Sequence, residues 1–123
     1  MNGPDTTIQA AVAQARRWYW QRISAMVLTL CVALHLAGMV WAVRGGLSAA
    51  EILSRTQGNE LFAAFYAVFV LACAVHVPIG LATIAREWGR LSAPAAAWLA
   101  RGVTALIVAL GLRAVWAVYG GGA

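Results

Sequence analysis

Leu61–Ala85, LFAAFYAVFVLACAVHVPIGLATIA, is a run of 25 residues without one charged side chain. As a helix it is about 37 Å long at 1.5 Å per residue. The hydrocarbon core of a bilayer is about 30 Å thick, so the run is long enough to cross it. Near its middle stands His76, followed by Pro78 and Gly80. An imidazole in hydrocarbon is costly, and its presence there points to a function.

Two further runs flank this one. Ile23–Val43 contains no charge and carries the second histidine, His35, while Trp98–Tyr119 carries Arg101 near its start and Arg113 within it. Composition agrees with three spans. Hydrophobic residues make up 63% of the chain and charged residues 11%, against about 25% charged in soluble proteins. Mean hydropathy is +0.77. The sequence predicts an all-α integral membrane protein. It has a single membrane-anchor domain, 1–123, with spans at roughly 23–43, 61–85 and 98–119.

The breaks between the runs carry their own signals. Arg44-Gly45-Gly46 ends the first helix, because paired glycines stop helices readily. Ser48-Ala-Ala-Glu51 is a capping-box pattern and predicts a short interfacial helix in the first connection. Pro94 suits the first turn of the third long helix. Met1–Gln14 is polar, and no cleavage site follows Arg16–Arg17. No signal peptide is therefore expected, and the first span stays in the mature chain.

All nine basic residues are arginines. They flank apolar runs and do not form a patch, so the pI of about 10.3 reflects membrane topology and not nucleic-acid binding. Arg16, Arg17, Arg22, Arg86, Arg90 and Arg101 lie on one side of the alternation. Arg44 and Arg55 lie on the other. The positive-inside rule then predicts a cytoplasmic N-terminus and second connection in a multi-pass protein of a bacterial inner membrane. Trp18, Tyr19, Trp20, Trp41, Trp88, Trp98, Trp116 and Tyr119 mark the span ends, where aromatic rings collect.

His35 and His76 are the only histidines. Counted from the flanking arginines, both fall in the middle zone of the bilayer, and two arrangements stay open: both near one haem, or each at its own haem. Bis-histidine haem b is the natural candidate, since imidazole is a common axial ligand and both faces of the iron need filling. A zinc site wants three or four ligands, and the spans offer no others. Gly38 and Gly80 share a face with His35 and His76 and leave room beside a flat macrocycle. Close helix packing by small residues is the other reading of both glycines. Arg22 and Ser24, with Gln21 and Trp18, form a polar and aromatic group suited to a haem propionate or a quinone carbonyl. Arg113 snorkels outward or meets an outer propionate. Cys31 and Cys73 read as small buried residues.

Gln21-Arg22-Ile-Ser-Ala25 resembles the His-Arg-(Ile/Val)-(Ser/Thr)-Gly motif that opens the first span in cytochrome b anchor subunits of succinate dehydrogenase and fumarate reductase. Ala74-Val-His-Val-Pro-Ile-Gly80 is similar to the His-x-x-x-Gly motif of their second span, where the histidine ligates haem. His35, 13 residues beyond Arg22, resembles the first-span ligand of two-haem members. The resemblance runs from about Trp18 to Trp88. Gln21 and Ala25 depart from the family's usual His and Gly, and Trp18 stands where many members place a quinone-binding Ser. The resemblance implies a haem b-binding anchor that passes electrons between an iron–sulfur subunit and quinone. It also implies a flavoprotein subunit and a second small anchor as partners. One haem or two would then be shared with that second anchor. A haem-free anchor that docks a peripheral enzyme is the alternative.

Overall fold

The computed structural model of the chain describes residues 3–120. It is entirely helical: α1 (Pro4–Gly45), α2 (Ala49–Thr56), α3 (Glu60–Glu87) and α4 (Ala93–Gly120). Three of the four, α1, α3 and α4, are long and apolar enough to cross a membrane.

Each boundary follows from local chemistry. α1 starts with Pro4 in its first turn and Asp5 beside it. Proline lacks only a donor that would be unpaired there, and the carboxylate suits the positive end of the helix dipole. It stops at Gly46, whose φ of 102° is open to glycine but strained for other residues. The Ser48 hydroxyl accepts from the Glu51 amide while the Glu51 carboxylate accepts from the Ser48 amide, completing the expected capping box. The Ser48 hydroxyl first, and the Ser48 amide second, hydrogen-bond the Glu51 carboxyl and hold it below its ordinary pKa. The cap therefore supports α2 above the usual carboxylate range and is lost as pH falls through the lowered value. The Asn59 side chain caps α3 by accepting from the Phe62 amide. α3 runs unbroken through Pro78, one amide short of a full ladder. Pro94 falls in the first turn of α4, as its position in the sequence predicts.

α3 is the middle helix and packs against both α1 and α4. The buried side chains of this packing are small: Cys31 on α1, Ala72, Ala74 and Ala82 on α3, and Ala96 on α4. Among the described residues no large side chain is fully buried, while Met26, Leu30, Leu36, Leu106 and Leu110 are all exposed. That is the inverse of a water-soluble core. Small residues at helix contacts let backbones approach, and large apolar residues point outward.

The first connection is tied to both of its neighbours. Thr56 Oγ1 donates to the Val118 carbonyl at 2.9 Å, and the Gly58 amide donates to the Tyr119 carbonyl at 3.0 Å. Carbonyls in the last turn of α4 are thus satisfied from outside the helix. Arg55 donates to the Gly46 carbonyl at 2.9 Å and lies 5.3 Å from the centroid of Trp41. The loop is thereby clamped to the end of α1.

Gly111 marks the closest approach of α3 and α4. A Cβ there would sit 2.5 Å from Val70 Cγ1. Gly111→Leu is expected to destabilise the α3–α4 pair by about 1–3 kcal/mol, the usual cost of overpacking. Denaturant titration in detergent reads this, and Val70→Ala added to Gly111→Ala is expected to recover much of the loss, because the two sites are coupled.

Candidate functional site

Gln21, Ser24, Leu28, Cys31 and His35 are spaced 3, 4, 3 and 4 residues apart on α1. Tyr66, Phe69, Cys73, His76, Gly80 and Thr83 repeat the same rhythm on α3. Such spacing gathers each set into one stripe along its helix. The side-chain contacts show that these two stripes face each other, with the helices antiparallel. Ser24 Oγ lies 3.3 Å from His76 Nδ1, and His35 Nδ1 lies 2.8 Å from the Tyr66 hydroxyl.

Four of the residues singled out in the sequence meet at one level. His76, half-buried, contacts Ser24, which is 5% exposed. Ser24 also donates to the Gln21 carbonyl on its own helix at 3.1 Å. The Gln21 side chain fills the gap left by Gly80, where a Cβ would come within 3.2 Å of Gln21 Nε2. Gln21 Oε1 is buried and has no hydrogen-bond partner. Below this level an open cleft of about 890 Å³ separates the start of α1 from the end of α3, lined by Arg17, Trp18, Gln21, Ile79, Thr83 and Arg86 among others.

His35 belongs to a different level. Tyr66 and His76 are ten residues apart on α3, about 15 Å along the axis. The two histidines therefore cannot bracket one iron, and of the two arrangements left open by the sequence only separate sites fit. Depth counted from Arg22 places His35 too near His76, because Arg22 is not level with Arg86. Counting in opposite directions from the Ser24–His76 contact puts Gln14 level with Arg86. Arg22 lies eight residues further along α1, about 12 Å deeper. His35 is enclosed edge-on by the rings of Tyr66 and Phe69, at centroid distances of 5.7 and 5.9 Å. Gly38, one turn beyond, has nothing within 4 Å of where a Cβ would stand.

Arg22 is exposed and does not join the His76 group. Residues two apart on a helix point about 200° apart, so Arg22 faces away from the seam that holds Ser24. Its guanidinium leans back over Trp18, 5.5 Å from the ring centroid, as a long cationic side chain does when it reaches for a polar boundary.

Tyr66 and Thr83 were not singled out by the sequence, and Arg17 and Arg86 were read there only as topology charges. The signal that finds them is the shared 3-4 rhythm combined with the pairing of residue 24 with residue 76. Every other pairing then follows by counting in opposite directions. Among the described residues no cluster of three or more His, Cys, Asp or Glu side chains forms a metal site.

Comparison with protein-family models, with curated proteins and with solved structures finds no match to this chain.

The register is open to chemical test. With Cys31 and Cys73 replaced by alanine, the pairs Ser24→Cys with His76→Cys and His35→Cys with Tyr66→Cys are expected to cross-link on mild oxidation. The mismatched pair Ser24→Cys with Tyr66→Cys is expected not to, since bridged cysteines need Cα atoms within about 7 Å.

Proposed function

We propose that this chain is a three-span anchor of a bacterial inner membrane. Its N-terminus and second connection are cytoplasmic, and His76 is one axial ligand of a haem b. The observation that carries this is the pairing of His76 Nδ1 with Ser24. Histidines that bind metal through one ring nitrogen usually hydrogen-bond through the other, which orients the ring and raises ligand basicity. Among the described residues only Nδ1 of His76 is so engaged. The donor set thus fits an iron approached from Nε2, with the opposite ligand supplied by a second anchor. Arginine bias, six on one side against two on the other, supports the orientation.

Haem b, when bound, supplies a one-electron carrier whose potential the surrounding protein tunes. The chain's own residues hold it and exclude water. Ser24 orients His76, Gly80 lets Gln21 pack beside the ligand, and small residues bring α3 close to its neighbours. The cleft at the cytoplasmic side suits a quinone headgroup. Arg17 and Arg86 provide positive charge near a carbonyl, Trp18 provides a flat apolar wall, and the Gln21 side chain lines the inner end of the cleft. Arg22, exposed on the outer side of α1, is left to meet a propionate or the second anchor. The reading places the chain in a succinate:quinone oxidoreductase of the succinate dehydrogenase or fumarate reductase kind. A flavoprotein and an iron–sulfur subunit would carry the steps that have no residues here.

The purified complex is expected to show a reduced b-type α-band. His76→Ala is expected to abolish that band, and His35→Ala to leave the haem at His76 in place. A complex without any such band makes the chain a haem-free anchor for a peripheral enzyme. Arg86→Ala, in the cleft, is expected to slow quinone reduction more than reduction of an artificial soluble acceptor; equal losses would point to assembly instead.

A further inference from the structure

We propose that the two histidines are held in opposite tautomers by their neighbours. In this proposal Ser24 is a positioning residue that leaves His76 Nε2 bare for iron, while Tyr66 puts the ring proton of His35 on Nε2 and closes that nitrogen to metal. The role given to His76 rests on the haem-anchor reading; the tautomers themselves do not.

The argument is a count of protons. A serine hydroxyl has one proton and two lone pairs. Ser24 Oγ lies 3.1 Å from the Gln21 carbonyl and 3.3 Å from His76 Nδ1. A carbonyl only accepts, so the shorter contact takes the hydroxyl proton. The longer one is then a hydrogen bond only if Nδ1 carries a proton and donates it. Neutral imidazole has a single ring proton, so Nε2 is left with its lone pair. Ser24 is 5% exposed, which leaves water little access to either contact. The reverse assignment would put a proton on Nε2, and among the described residues that nitrogen has no acceptor. The reverse assignment also leaves the Ser24–Nδ1 contact without a proton, because the one hydroxyl proton is on the Gln21 carbonyl.

Tyr66 reverses the logic. Its hydroxyl has one hydrogen-bond partner among the described residues, His35 Nδ1 at 2.8 Å. No carbonyl competes for the phenolic proton. If the phenol accepted from Nδ1–H, its own proton would have no acceptor among the described residues. Donation from the phenol to Nδ1 avoids that cost and places the ring proton on Nε2. Two histidines that look equivalent in the sequence therefore differ in what they offer a metal.

Nitrogen-15 magnetic resonance of the full chain in lipid vesicles, labelled at histidine only, reads both rings without haem present. The expected spectrum has one ring protonated at Nδ1, assigned to His76, and one protonated at Nε2, assigned to His35 through a His35→Gln variant. Ser24→Ala is expected to move His76 to the Nε2-protonated form, and Ser24→Thr, which keeps the hydroxyl, to restore the Nδ1 form. In the assembled complex Ser24→Ala is expected to lower haem affinity about 10–100-fold, with Ser24→Thr recovering it. A wild-type spectrum with both rings protonated at Nε2, or a His76 tautomer unmoved by Ser24→Ala, overturns the proposal. A complex that lacks the α-band overturns only the haem reading, because the tautomers are read in the chain alone.

Discussion

A buried imidazole must find a hydrogen-bond partner for the nitrogen it turns inward, and it must find that partner on another element once its own helix has used its backbone groups. In this chain that requirement is met twice between the same two helices. His76 on α3 takes Ser24 on α1, and His35 on α1 takes Tyr66 on α3. Two such contacts, ten residues apart on α3 and eleven on α1, fix both register and direction. Apolar packing alone would specify register weakly here, since the seam between the helices is otherwise built from small or apolar side chains. The polar pairs select one alignment among several of similar apolar burial, because a slip of one turn would strand both rings.

The same alignment explains why α1 is so much longer than a single span. Its 42 residues reach about 63 Å as a helix, roughly twice the thickness of the hydrocarbon core. Register places Gln14 opposite Arg86 near the end of α3, so the stretch from Pro4 to about Val12 projects beyond the end of α3. Its side chains are exposed throughout. The cleft is thus walled on one side by a helix that continues outward and on the other by a helix that ends. This gives it an open mouth beyond the end of α3.

Much of this was legible in the residues themselves. The three apolar runs, the glycine stop at Gly46, the Ser48–Glu51 capping box and the place of Pro94 all depend on neighbours in sequence, and the helices fall where those signals put them. Depth and pairing did not follow so directly. Arg22 reads as a surface anchor because it is charged and opens an uncharged run. Its true level depends on how far α1 slides along α3, and that is set by contacts 52 residues apart, between Ser24 and His76. Tyr66 was passed over because an aromatic residue among phenylalanines reads as packing until a histidine is found opposite its hydroxyl. Gly80 was read as space beside a ligand, and the space is occupied by a residue from the other helix, Gln21.

The separation of the two histidines has a further consequence for how such a chain can work. One level lies at the inner end of the cleft, and it combines a serine-held imidazole, an unpartnered amide oxygen and small residues. The other lies about 15 Å away along α3 and combines a tyrosine-held imidazole with the Phe69 ring edge-on beside it. Electrostatic surroundings of this kind differ in what charge they tolerate. The first sets hydroxyl and amide dipoles beside the imidazole. The second offers edges of aromatic rings and one phenol, and would desolvate any charge placed there. A chain that needed two equivalent metal sites would not be expected to furnish them so unequally, and the inequality arises from four side chains, Ser24, Gln21, Tyr66 and Phe69, not from the histidines themselves.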